Sequence, residues 1–156
     1  PPSATEAIEM PVVDAPQPPT THNIASVADW QAFAAAVNGG AIADNANITA
    51  DLDFDGVDYT PLYMYLGTID GNGHKIKNVT IASSEDNQGL IRNASDGVTI
   101  KNLVIDSSCE ITGGDYTGGF IGHAVGSGEI RFINCGNEAK IKGGKNTAGF
   151  IAAVKR

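Results

Sequence analysis

Gly89-Leu90-Ile91, Gly119-Phe120-Ile121 and Gly149-Phe150-Ile151 recur at thirty-residue intervals, and a period of that length marks a chain built from one repeated supersecondary unit. Between the last two copies the register runs without gaps: Ile100 falls on Ile130, Leu103 on Ile133, Ile105 on Cys135 and Ile111 on Ile141. Gly113-Gly114 falls on Gly143-Gly144. The preceding copy aligns at twenty-four residues, Ile76, Asn78, Val79 and Ile81 falling on Ile100, Asn102, Leu103 and Ile105, with six residues lost at Ser83–Gln88. A solenoid tolerates such a loss because its corner loops lie outside the stacked core.

Each unit reads as short strands separated by Gly-, Asn- and Asp-rich turns. They fall at Gly67–Ile69, Ile76–Ile81, Gly89–Ile91, Ile100–Ile105, Cys109–Ile111, Gly119–Ile121, Ile130–Cys135, Ala139–Ile141 and Gly149–Ile151. From Asn47 the apolar period is two, with Ile48, Ala50, Leu52 and Phe54 facing one way, as in a half-buried strand. Nineteen glycines beside 6% aromatics agree with many tight turns. Helical-pair repeats would need two amphipathic helices per unit, and these units have none. The expected fold is all-β, a right-handed parallel β-helix of about four rungs, each about 4.8 Å above the last. Leu90, Phe120 and Phe150 form one expected inner column, and Ile76, Ile100 and Ile130 another.

One helix stands before the strands. Val27, Trp30, Ala34 and Val37 share a face with Phe33 beside them; Ser26 and Asp29 supply an N-terminal cap, and Asn38-Gly39-Gly40 a left-handed stop. This helix, near 27–37, is suited to cap the first rung of a β-helix domain at 23–156. Residues 1–22 hold six of the seven prolines, show no period, and read as a Pro/Thr-rich linker. Nothing in the sequence caps the last rung: either more coil follows in the parent protein or that end pairs with another molecule, so self-association through it is one expectation.

Formal net charge is −8, which argues against a nucleic-acid partner, since binding that backbone needs clustered Lys and Arg. Residues 1–74 carry ten acids and no Lys or Arg, whereas ten bases and eight acids follow. No apolar run reaches the length of a membrane-spanning helix.

Gly119-Phe120-Ile121-Gly122 resembles the Gly-Leu-hydrophobic-Gly element of the GLUG-repeat family. The segment from Gly67 to Ile76, Gly-Thr-Ile-Asp-Gly-Asn-Gly-His-Lys-Ile, is similar to the one preceding it there, and Ala50–Phe54 to the family's first strand. The likeness covers roughly residues 24–154; Arg92 and Ala152 depart from it, standing where Gly122 has its counterparts. The resemblance implies a right-handed β-helix in surface or secreted bacterial proteins, often adhesin-like, with the repeat supplying surface rather than catalysis.

Several residues are candidates for chemistry. Asp51, Asp53 and Asp55 imitate the opening of a calcium loop, but Leu62 stands at the twelfth position where a bidentate Glu belongs; alternating acids also suit the wet face of a strand. The repeat register stacks Lys77, Lys101 and Arg131 in one column, a site for an acidic glycan or a solvated face, and sets Glu110 against Lys140. Tyr59, Tyr63 and Tyr65 cluster near a loop, where rings either stack on sugars or pack over the first rung. His74 and His123 stand alone, Asp70 and Asp106 do not correspond between repeats, and no catalytic residue or cofactor is assigned. Cys109 and Cys135, on adjacent rungs, either bridge a corner or remain free thiols.

The expected function is an extracellular or cell-surface binding module for a host or matrix glycan or protein, without catalysis of its own. The alternatives are a structural spacer in a larger surface protein and a carbohydrate-active lyase or hydrolase on the same fold.

Overall fold

The computed structural model describes residues 18–155. The expected linker lies outside these up to residue 17, and its last two residues already belong to a strand, β1 (Thr21–Ile24). Helix α1 spans Val27–Asn38. Ser26 Oγ accepts the Asp29 N–H at 3.2 Å while Asp29 Oδ2 accepts the Ala25 N–H at 2.9 Å, so two free amides at the helix start are satisfied reciprocally. At the other end Gly39 stays right-handed (φ −85°) and Gly40 takes the positive φ, +125°. Trp30, Phe33, Ala34 and Val37 are buried, as the helical face requires.

The remainder is strand and turn: β2 (Asn45–Ile48), β3 (Leu52–Asp53), β4 (Thr68–Lys77), β5 (Thr80–Ala82), β6 (Ile91–Ala94), β7 (Thr99–Ile105), β8 (Glu110–Thr112), β9 (Thr117–Gly118), β10 (Ile121–Val125), β11 (Arg131–Ile133), β12 (Gly136–Asn137), β13 (Lys140–Lys142), β14 (Thr147–Ala148) and β15 (Ile151–Lys155). Every pairing among them is parallel. One sheet has the order β1-β2-β4-β7-β11, with β3 on β4 and β12 on β7; the others are β6-β10-β15, β5-β8-β13 and β9-β14. The protein is therefore mostly β, in parallel sheets that the chain revisits in turn. The half-buried strand expected from Asn47 is two strands: the chain breaks at Thr49–Asp51, yet Ile48, Leu52 and Phe54 all remain buried.

The register differs from the gapless alignment. Phe132, not Ile130, stands opposite Ile100, and Asn137, not Cys135, opposite Ile105. The turn between Val125 and Arg131 is two residues longer than its counterpart and the corner between Asn137 and Lys140 two shorter, so thirty-residue spacing returns at Ile111↔Ile141 and Ile121↔Ile151. Earlier in the chain Ile76 lies opposite Ile105, and Ile69 opposite Ile100. The expected Ile76, Ile100, Ile130 column is thus replaced by Leu52, Ile76, Ile105 and by Ala46, Ile69, Ile100, Phe132. No residues are lost at Ser83–Gln88, since Ile81↔Ile111 and Ile91↔Ile121 keep one spacing across it.

The cause is local. Ile76-Lys77-Asn78 and Ile100-Lys101-Asn102 look alike because each brings an Asn into a left-handed bend (φ 58° and 55°), but the bends are not equivalent. The true counterpart of Asn102 is Asn72 (φ 50°), inside the irregularity of β4 between Asp70 and His74.

The core runs through all the sheets. The expected Leu90, Phe120, Phe150 column exists, with the two rings edge to face at 5.2 Å and Phe132 joining them at 5.5 and 5.1 Å. Each large apolar side chain fully removed from water contributes about 1.5–3 kcal/mol. At the helix side Trp30 stacks on Tyr59 at 5.9 Å and Phe33 meets Tyr65 edge-on at 5.9 Å, so α1 closes the core beside β1 and β2. At the other side nothing among the described residues covers β11–β15, where Ile133 is 48% and Val154 44% exposed.

Candidate binding ledge

The three tyrosines of the loop before β4 separate into two roles. Leu62 and Tyr65 bridge to Ile91 and Ala94, which turns Tyr65 inward; its hydroxyl donates to Asp44 O at 2.7 Å. Tyr59 is also interior, donating to Leu90 O at 2.8 Å, and burial holds both phenols well above their ordinary pKa. Tyr63 alone faces water, 51% exposed.

Tyr63 is nevertheless fixed. Its N–H donates to Asn38 Oδ1 at 2.9 Å, its C=O accepts Asn93 Nδ2 at 3.0 Å, and Asn93 Oδ1 accepts Asn87 Nδ2 at 3.4 Å. Asn38 is itself held by donating to Pro61 O at 3.0 Å. The Arg92 guanidinium lies over the ring, 6.0 Å from its centroid, a contact worth about 0.5 kcal/mol at an exposed site. Arg92 Nε donates to Asn87 O at 3.1 Å and Nη2 to Asp86 O at 3.3 Å, with Glu85 3.7 Å away. On the next strand His123 sits opposite Asn93, and its ring meets Tyr116 at 5.6 Å. Two aromatic groups, each with a nitrogen-bearing partner, therefore line one ledge along β6 and β10. The lone His123 of the sequence belongs to it. Arg92 and Asn93 gave no sequence signal beyond the missing glycine at residue 92.

The cation column does not assemble. With the corrected register Lys101 stands opposite Asp70, Lys77 opposite Asp53, and Arg131 opposite Thr99. Each has an acid: Lys101–Asp70 at 3.8 Å, Lys77–Asp51 at 3.3 Å, and Arg131 Nε–Glu129 at 2.7 Å. Opposite charges have replaced the expected like-charge stack. Glu110 does lie opposite Lys140, although its ion pair is with Lys142 at 4.0 Å.

The acidic loop is engaged with its neighbours. Asp51 Oδ1 accepts the Lys75 N–H at 2.9 Å and meets His74 Nδ1 at 3.2 Å; the Lys75 amide, with Lys77 and His74, holds its carboxyl below the usual range. Asp53 accepts Asn78 Nδ2 at 2.8 Å and the Asp55 N–H at 3.0 Å, and is likewise lowered. Asp55 instead lines a polar cleft of 390 Å³ with Asp58, Asn78, Thr80 and Ser108. The three candidate calcium ligands thus point to different partners, and among the described residues no group of three or more His, Cys, Asp or Glu side chains is placed to hold a metal ion. Both cysteines are free thiols, raised in pKa by burial; Cys109 Sγ donates to Ile76 O and Cys135 Sγ to Ile100 O.

Compared with protein-family models, curated proteins and solved structures, the chain matches none. Among the described residues no helix is long and apolar enough to cross a membrane.

Proposed function

We propose that this chain is a non-catalytic binding module of a secreted or cell-surface bacterial protein, wound as a right-handed parallel β-helix, that takes a glycan or protein on the Tyr63–Arg92 ledge. The winding is supported by the order in which the chain visits its sheets. β4, β5 and β6, then β7, β8 and β10, then β11, β13 and β15 each pass through the same three sheets, always parallel to the strand before. The GLUG-repeat likeness points the same way and supplies the surface location.

The observation that carries the binding reading is a half-exposed aromatic ring on a backbone anchored at both its N–H and its C=O, with the Arg92 guanidinium over the ring. An aromatic side chain of this kind offers a large amphipathic face without the entropy loss of ordering it on contact. A purely structural spacer has no use for that exposure, whereas Lys77, Lys101 and Arg131 are each engaged by an acid.

A glycan array probed with the wild-type protein, Tyr63→Ala and Lys101→Glu tests the reading. Binding that falls at least tenfold in Tyr63→Ala, with the fold intact and Lys101→Glu unaffected, is the expected result. Equal binding by wild type and Tyr63→Ala would remove the ledge, and no binding by any of them would leave the spacer.

A further inference from the structure

Among the described residues, every non-glycine residue with a left-handed φ is asparagine except Tyr116, at 62°. Its counterparts on the neighbouring strands are Asn87 and Asn146, each at 58°, because Gln88, Thr117 and Thr147 stand opposite one another one residue later. A bulky side chain is strained in that region, and such strain persists where the side chain serves something other than folding. Tyr116 meets His123 there, ring centroids 5.6 Å apart and tilted by 42°. On the preceding strand the same two positions hold Asn87 and Asn93, joined amide to amide at 3.4 Å. On the following strand they hold Asn146 and Ala153. An aromatic pair is thus set into a row that elsewhere carries amides.

Tyr63 lies on the other side of the amide pair. Its segment bridges to β6 on the edge away from β10, and its C=O accepts Asn93 Nδ2. Ring, amide pair and ring pair therefore follow one another across three neighbouring segments, each about 4.8 Å from the next. That step is close to the rise of one pyranose unit in an extended glycan. A peptide has no strand edge to join here, since β10 pairs with both β6 and β15, and β6 with β10 and the Leu62–Tyr65 segment. Fixed charge does not favour an anion either: Arg92 has Glu85 3.7 Å away, and Asp86 and Asp115 stand beside Asn87 and Tyr116.

We propose that the ledge takes an extended, neutral glycan chain lying across the strands: one unit stacked on Tyr63, the next hydrogen-bonded by Asn87 and Asn93, and a third stacked on the Tyr116–His123 pair. The inference rests on the reading of Tyr63 and Arg92 as a binding surface, and adds a second aromatic subsite to it. The rings meet the C–H faces of the outer sugars, and the amides, which both donate and accept, meet the hydroxyls of the middle one. Tyr116 is then the residue that makes binding depend on the length of the chain.

Calorimetric titration with neutral cello-, xylo- and chito-oligosaccharides of increasing length, and with oligogalacturonates as the anionic counterpart, tests it on wild type, Tyr63→Ala and Tyr116→Asn. The expected result is one neutral series whose affinity climbs about tenfold from the disaccharide to the trisaccharide, the scale of one stacked ring, with little dependence on salt. Tyr116→Asn should abolish that climb, leave the disaccharide affinity unchanged, and keep or raise the unfolding temperature. It installs the residue that the equivalent bends carry, so the fold is retained; His123→Ala, checked by circular dichroism, is the second variant under the same criteria. A climb that survives Tyr116→Asn and His123→Ala while Tyr63→Ala still weakens binding would overturn the second subsite and leave the ledge. Oligosaccharide binding untouched by Tyr63→Ala would remove the ledge with it. Preference for the oligogalacturonates, or no binding of any oligosaccharide by a protein that binds a protein partner, would overturn the proposal as well.

Discussion

At the scale of single residues, asparagine and glycine do the work that lets strands stack so closely. Asn72, Asn102 and Asn134 take left-handed φ values of 50–55° at equivalent bends, and Asn87, Tyr116 and Asn146 do so at another, φ 58–62°. Asn tolerates that region better than any other residue with a Cβ except Asp, and its amide then bonds to the neighbouring strand. The repeat glycines answer to a different demand. A Cβ at Gly119 would sit 2.2 Å from Gly149 O, whereas one at Gly149 would meet nothing closer than Asn137 Nδ2 at 3.5 Å. Gly119→Ala is therefore expected to cost about 1–3 kcal/mol, as overpacking does, and Gly149→Ala under about 0.5 kcal/mol. Urea midpoints of the two variants check this. These glycines were visible in the sequence as a motif. Their necessity was not, because it comes from a carbonyl thirty residues away.

At the scale of elements, α1 was the most legible piece: its caps, its face and its covering role all follow from Ser26 to Gly40. Trp30 Nε1 is buried with no hydrogen-bond partner among the described residues. Such a group costs about 1–3 kcal/mol, so Trp30→Phe is expected to be neutral or stabilising, whereas Trp30→Ala, which empties the stack on Tyr59, should lose about 3–5 kcal/mol. Thermal unfolding of the pair separates the two effects. The strands were legible as short apolar runs, but their register was not. Local similarity between Ile76–Asn78 and Ile100–Asn102 reflects a shared bend, and the two-residue exchange between turn and corner after β10 leaves the spacing of the Gly-Phe-Ile motif unchanged. The ledge was equally hidden, since Tyr63 and Arg92 meet only when Leu62 pairs with Ile91.

At the scale of the whole molecule, carboxylates tie one strand to the next. Amide donors hold Asp51 and Asp53 below the usual carboxylate range; burial raises Asp44 and Asp70, but His22 with the Thr20 N–H, and the Asn72 N–H with Asn102, outweigh it. A group with a depressed folded pKa gives stability that is fully present above its unfolded pKa and lost as pH falls through the folded one. Stability should therefore decline below about pH 4, and Asp51→Asn should decline less steeply; urea midpoints across that range are the check.

Parallel strands in the corrected register are the claim on which the proposed coil and the proposed ledge both stand, and disulfide trapping tests it. In a background with Cys109 and Cys135 replaced by Ala, Lys101→Cys with Ile133→Cys places two outward side chains opposite each other, within disulfide reach for adjacent strands. That pair should cross-link under mild oxidation, while Lys101→Cys with Arg131→Cys, the partner in an unbroken thirty-residue register, should not. Cross-linking of the second pair in preference to the first would contradict the account.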